Sequence, residues 1–146
     1  MRAAGNRHDK KRVAGRFVRL SQAMIESLAW RSLNGNARAI YVELANLYRG
    51  NNNGRIGCSA RQAARVIPIS MATAARAMVQ LQDRGFIIAE TKGHFDRKRQ
   101  ATRWRLTEHN CDVTGQAASR DFDAWATADI LPLRPHGERS EREIDG

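Results

Sequence analysis

The stretch "SARQAARVIPISMATAARAMVQLQDRGF", residues 59–86, constrains this chain more than any other. Ser59 and Gln62 have the S-x-x-Q spacing of a capping box, in which each side chain satisfies a backbone amide at the start of a helix. That helix runs through Ala63, Ala64 and Val66. It stops before Pro68, because a residue preceding proline resists the helical region. Two residues on, Ser70 caps a second helix with Ala74, Ala77, Met78 and Leu81 as its buried stripe. Gly85 then takes the position after the C-cap Arg84. Small alanines on both helices permit a close crossing, while the short turn and the lack of sustained heptads exclude a coiled coil.

The flanking segments set the context for this pair. In "FVRLSQAMIESLAW", Ser21 is an N-cap, and Met24, Ile25, Leu28 and Ala29 follow at three-four spacing, predicting one short amphipathic helix. Trp30 and Leu33 would anchor its exit. "NARAIYVELANLYRG" is the clearest helix: Ala37, Ile40, Tyr41, Leu44, Leu47 and Tyr48 share a face, Asn34 or Asn36 can cap it, and Gly50 can end it. "NNNG" reads as a turn and "RIGC" as a short strand. Downstream, "FIIAET" and "ATRWRLT" read as strands. In the second, Thr102, Trp104 and Leu106 alternate with Arg103 and Arg105. Between them lies the basic loop "KGHFDRKRQ".

Charge narrows the partner. The 146 residues carry a formal +10, unevenly spread. Residues 1–105 hold 21 Lys and Arg against 6 Asp and Glu, a net of +15, and residues 106–146 hold 4 against 9, a net of −5. A basic body, nearly all arginine, with an acidic tail points to a polyanion. No apolar run is long enough to span a bilayer, and "MRAAGNRHDKKRVAGRF" has no hydrophobic stretch behind its charges, so neither a membrane span nor a signal peptide is expected. Cys58 and Cys111 are far apart and belong to no Cys-x-x-Cys unit; two free thiols in a reducing cytoplasm are expected.

The order helix, short strand, helix, turn, helix, strand, basic loop, strand is that of a winged helix. Residues 34–107 resemble a winged helix-turn-helix domain of the kind found in bacterial transcription regulators and in plasmid or phage replication initiators. The phrases "SARQAARVIPIS" and "ATAARAMVQLQDRGFI" and the basic loop carry the resemblance. With "FVRLSQAMIESLAWRSLNGNARAIYVEL" it extends to about residues 17–112, a unit similar to helix-turn-helix proteins of alphaproteobacteria. The fold this implies is α+β, mainly helical: a winged helix-turn-helix with an added N-terminal helix and flexible tails. A disordered basic arm (1–16), the domain (17–112) and an acidic, largely flexible tail (113–146) are expected. A short helix at 119–128 would bring Phe122, Trp125 and Ala126 to one face, which would either pack back on the domain or dock a second copy or a partner.

By the same resemblance, the helix opening at Ser70 enters the major groove, and the wing lies over neighbouring backbone or minor groove. Met71, Ala72, Thr73 and Arg76, beside Ser70, are then the base-facing candidates. Ser59 and Arg61 are phosphate candidates. Lys92, His94, Arg97, Lys98, Arg99 and Arg103 belong to the wing and its root. The chain departs from the pattern twice. Such turns commonly hold Gly where Pro68 stands, and a proline that cannot take a positive φ implies a different turn. The recognition face is also poor in hydrogen-bonding groups, so arginines would supply most of the grip.

The function expected is binding of double-stranded DNA by a small cytoplasmic transcription regulator, with a homodimer left open. A replication or mobile-element initiator and a protein-interaction adapter are the alternatives. His94, His109 and Cys111 do not make a metal set, and no nucleophile triad or phosphate-binding glycine loop is visible. No enzyme activity, metal, cofactor, membrane or small-molecule ligand is therefore expected.

Overall fold

A computed structural model describes residues 15–91 and 102–129, with the side chains of residue 91 and residues 126–129 left out of the description. The expected basic arm up to residue 14, the loop residues Lys92, His94, Arg97, Lys98 and Arg99, and the tail from residue 130 lie outside these described residues.

The chain is α+β, with helices gathered on a small antiparallel sheet. It begins with two short helices, α1 (Gln22–Ile25) and α2 (Leu28–Ser32). One helix was expected here. Ser27 breaks it, accepting from the Trp30 amide at 3.1 Å as a second N-cap. The break turns Met24, Ala29, Trp30 and Leu33 inward and leaves Ile25 and Leu28, expected on the buried face, exposed. Helix α3 (Gly35–Leu47) is capped by Asn34, whose Oδ1 accepts from the Ala37 amide at 2.8 Å. It ends at Leu47, earlier than Gly50 implied, because Asn52 reaches back to donate to the Leu47 carbonyl at 3.0 Å.

The central helices are α4 (Ala60–Val66) and α5 (Met71–Asp83). Both halves of the Ser59–Gln62 capping box form, at 2.8 and 3.1 Å. Ala63 of α4 and Ala74, Ala77, Met78 and Leu81 of α5 are buried, whereas Val66 is exposed. Strands β1 (Ile56–Gly57), β2 (Ile87–Thr91) and β3 (Arg103–Leu106) form a sheet in the order β1-β3-β2. Trp104 pairs with Ile56 on one side and Ala89 on the other, and the register shifts between Ala89 and Thr91. Trp104 and Leu106 face the core, as alternation predicts.

The core continues past residue 112, the end of the stretch that the resemblance covers. Helix α6 (Asp121–Asp129) packs against α2, and Phe122 is fully buried, stacked on Phe86 with centroids 5.0 Å apart. Trp30, Tyr41 and Phe86 meet edge to face around them at 5.4–5.8 Å. Such pairs add about 0.5–1.5 kcal/mol each beyond burial. Arg84 lies over the Trp125 ring at 4.6 Å. Gly85, at φ 81, provides the seat: a Cβ there would come within 2.6 Å of the Asp121 backbone. Of the two fates open to this aromatic face, Phe122 and Trp125 take the inward one.

Asn53, in the "NNNG" turn, is fully buried. Its Oδ1 accepts from the Leu106 amide at 2.7 Å, and its Nδ2 lies 2.9–3.2 Å from the carbonyls of Leu106, His109 and Asn110. The turn is thus tied to β3 and to the segment behind it. Among the described residues no helix is long and apolar enough to cross a membrane.

Candidate functional site

The first turn of α5 carries the best-defined polar cluster among the predicted site residues. Ser70 Oγ accepts from the Thr73 amide at 3.1 Å and donates to Thr73 Oγ1 at 2.8 Å. Thr73 Oγ1 also accepts from Arg76 Nη2 at 3.2 Å. The three side chains recur at every third position, so they stand along one face of the helix. Ser70 and Arg76 are exposed and Thr73 is half-buried. Met71, 53% exposed, and Ala72 flank the cluster. The opposite face of α5 is committed to the core, so this outer face is left to solvent.

Two features hold that face in place. Helix α5 packs closely on both α3 and α4, and Gln80 Oε1 accepts from the Asn34 amide at 3.1 Å. The turn before it is less regular. Ile69 N donates to the Ala64 carbonyl at 3.1 Å, the long closing bond of a Schellman cap. This places Pro68 where a left-handed residue belongs, and its φ is 23. The expectation that proline would refuse a positive φ is therefore corrected: Pro68 occupies the left-handed position of the cap, a conformation its ring opposes.

On α4, Ser59 is occupied by its capping box and is only half exposed, while Arg61 is exposed. Arg65, not among the predicted residues, is also exposed. Its position four residues after Arg61 puts both on one helix face, a spacing that was available in the sequence. Val79 on α5 is likewise exposed and unpredicted; it lies two turns after Ala72 and extends the apolar part of the outer face.

Alternation set Arg103 and Arg105 on the same outward face of β3, but the two differ. Arg105 is held by Glu90 of β2 at 2.5 Å, whereas Arg103 is exposed. Among the described residues the ion pairs are Arg105–Glu90 and Arg120–Asp123. Arg61, Arg65, Arg76 and Arg103 therefore carry guanidinium charge with no carboxylate of the described residues bound to it. Arg103 also stands two residues after the undescribed segment that holds Lys92, His94, Arg97, Lys98 and Arg99. The structure thus joins Ser70, Thr73 and Arg76 directly and presents Arg61, Arg65 and Arg103 as separate exposed cations.

Tyr41 and Cys58 are titratable groups committed to packing. The Tyr41 phenol is raised well above its ordinary value by burial, then by Glu108, to which it donates at 3.4 Å. Burial, with a smaller effect from Glu43, pushes the Cys58 thiol up to about 11. Both cysteines are free and buried. His109 stacks on Tyr48 and Cys111 Sγ donates to the Asn53 carbonyl at 3.7 Å; among the described residues no group of three potential ligands converges on a metal position. No family model, curated protein or solved structure matches the chain.

Proposed function

We propose that this chain is a winged helix-turn-helix protein that binds double-stranded DNA, acting as a small transcription regulator with α5 in the major groove and the β2–β3 connection as the wing. The carrying observation is the outer face of α5, where Ser70, Thr73 and Arg76 bond only to one another among the described residues. The helix pair and the sheet order β1-β3-β2 support the reading, since this is the arrangement in which a β2–β3 loop flanks such a helix. Arg61, Arg65 and Arg103 would bind phosphate, the contact that fixes register without reading sequence. Met71 and Ala72 offer apolar contact to thymine methyls, and Arg76 keeps free N–H groups for guanine or phosphate.

The test is fluorescence anisotropy of the full chain on a random duplex and on the DNA immediately upstream of its own coding sequence, titrated with salt. Each phosphate contact contributes a slope of roughly −0.9 in log K against log salt. A slope of about −4 or steeper, with at least about tenfold preference for the upstream duplex, is the result expected of a self-regulating repressor. Steep binding without preference would keep the DNA reading and move the target elsewhere. Absence of binding at low salt would overturn it.

A further inference from the structure

A second surface of the chain has a different chemistry. An open groove of about 340 Å³ runs between residues 15–19 and the C-terminal end of α3, with His109 at its edge. Arg16, Arg19, Asn46, Tyr48, Arg49 and His109 line it, and no Asp or Glu does. None of these six side chains has a hydrogen bond or ion pair to another described residue. Arg19 lies 5.3 Å over the exposed Phe17 ring, and Tyr48 and His109 stack at 4.7 Å with their planes 23° apart. Burial and the Asp112 carboxylate raise the Tyr48 phenol, which stays a proton donor at neutral pH.

Three guanidinium groups without a counter-carboxylate call for a multiply charged anion, and the planar fork of arginine suits phosphate oxygens. Paired planar rings beside them call for a flat, delocalised group that extends the stack. Asn46 offers both a donor and an acceptor, as the edge of a nucleobase requires. The volume admits one such unit and falls in the range of small-molecule clefts. We infer that this groove binds a free mononucleotide, its phosphate held by Arg16, Arg19 and Arg49 and its base seated against the Tyr48–His109 stack. Such a site would give the chain a small-molecule input separate from the outer face of α5, and it does not rest on the DNA reading.

Isothermal titration of the full chain with AMP, adenosine and inorganic phosphate, at about 0.1 M salt to screen diffuse charge, tests the assignment. AMP should saturate one site and bind at least about tenfold tighter than adenosine or phosphate alone, because both halves of the groove contribute. Arg49→Ala should weaken AMP by at least about tenfold, whereas Arg61→Ala, on α4 outside the groove, should leave it unchanged. His109→Phe keeps a stacking ring and should retain most of the affinity that His109→Ala loses. No saturable AMP binding would overturn the inference. Equal losses in Arg49→Ala and Arg61→Ala would also overturn it, as would AMP binding no tighter than phosphate. A single-stranded oligonucleotide binding at least about tenfold tighter than AMP would replace the free nucleotide with a strand.

Discussion

Replacing Pro68 by glycine should make this protein more stable, against the usual expectation for losing a loop proline. The two central helices end on the same Schellman geometry with different residues at its left-handed position. At the end of α5, Gly85 sits at φ 81 and both closing bonds form: Phe86 N to Leu81 O and Gly85 N to Gln82 O, each 3.0 Å. At the end of α4, Ile69 N reaches Ala64 O at 3.1 Å, but Pro68 has no N–H for the second bond and is held at φ 23. Glycine would remove about 1–3 kcal/mol of backbone strain. It would also restore a partly exposed hydrogen bond, worth about 0.5 kcal/mol at the low end of the usual range. Against this stands about 1 kcal/mol for the freer unfolded chain. The net is a stabilisation of about 0.5–2.5 kcal/mol, or roughly 2–12 °C in Tm for a domain of this size. Urea denaturation followed by tryptophan fluorescence would measure it, with Pro68→Ala as the control: alanine regains the N–H but not the freedom to take positive φ. The expected order is glycine above alanine. A Pro68→Gly variant less stable than the parent would refute the reasoning, because the unfolded-state term would then act alone and no strain would be stored at the turn.

Three further outcomes follow from groups that are already placed. Asn53→Ala should cost about 3–4 kcal/mol in urea denaturation by stranding one amide and up to three carbonyls, and Asn53→Asp, the same size but without donors, should cost at least as much at neutral pH. Gly85→Ala should lower stability by about 2–4 kcal/mol, since it strains the cap and displaces Phe122 from its stack; a loss below about 1 kcal/mol in the same assay would mean that α6 is not seated there. The Cys58 thiol, at about 11 folded against 9.0 in its ordinary state, gives stability that is complete below about pH 9 and is lost as pH rises to about 11, a fall of about 2–3 kcal/mol. Tyr41, also raised, adds its own loss above pH 10, so Cys58→Ala should hold the urea midpoint level from pH 8 to about pH 10, while a parent protein already flat across that range would count against a buried thiol.

The helices around the turn were legible because their signals are local. Capping boxes, three-four spacing and a C′ glycine act within one or two turns of chain, and at Ser59, Asn34 and Ser70 the structure places caps where the residues imply them. The misreadings have the opposite character. Ser27 looks like one more polar residue in an amphipathic run, and only the inward turn of Trp30 makes it a cap. Asn53 reads as turn chemistry, because its partners are more than fifty residues away in sequence. After residue 112 the sequence brings Phe122 and Trp125 to one face but leaves its partner open, because the seat at Gly85 lies far away in the chain. At the candidate site, Arg65 was readable from its distance to Arg61. The distinction between Arg103 and Arg105 was not, because it depends on which one faces Glu90 across the sheet.

The outer face of α5 divides the work of a DNA contact in a particular way under the proposed function. Thr73 Oγ1 accepts from both Ser70 and Arg76, so its acceptor capacity is largely spent within the protein and its single O–H is what it can give a base. That arrangement fixes Arg76 along the helix before any ligand arrives. An arginine carries about 2 kcal/mol of rotamer entropy, and a fork already held at one nitrogen loses less of it on binding. With only one of its five donors used, Arg76 can still make a bidentate contact without breaking the network. Arg61, Arg65 and Arg103 have no such tether, which suits phosphates that can be met from many rotamers. Discrimination therefore concentrates in one preorganised guanidinium and a patch of methyl groups, and attraction comes from the untethered ones. Removing Arg76 should narrow the difference between duplexes more than it weakens binding to either, whereas removing Arg61 or Arg65 should weaken both alike and flatten the salt slope by about 0.9 each.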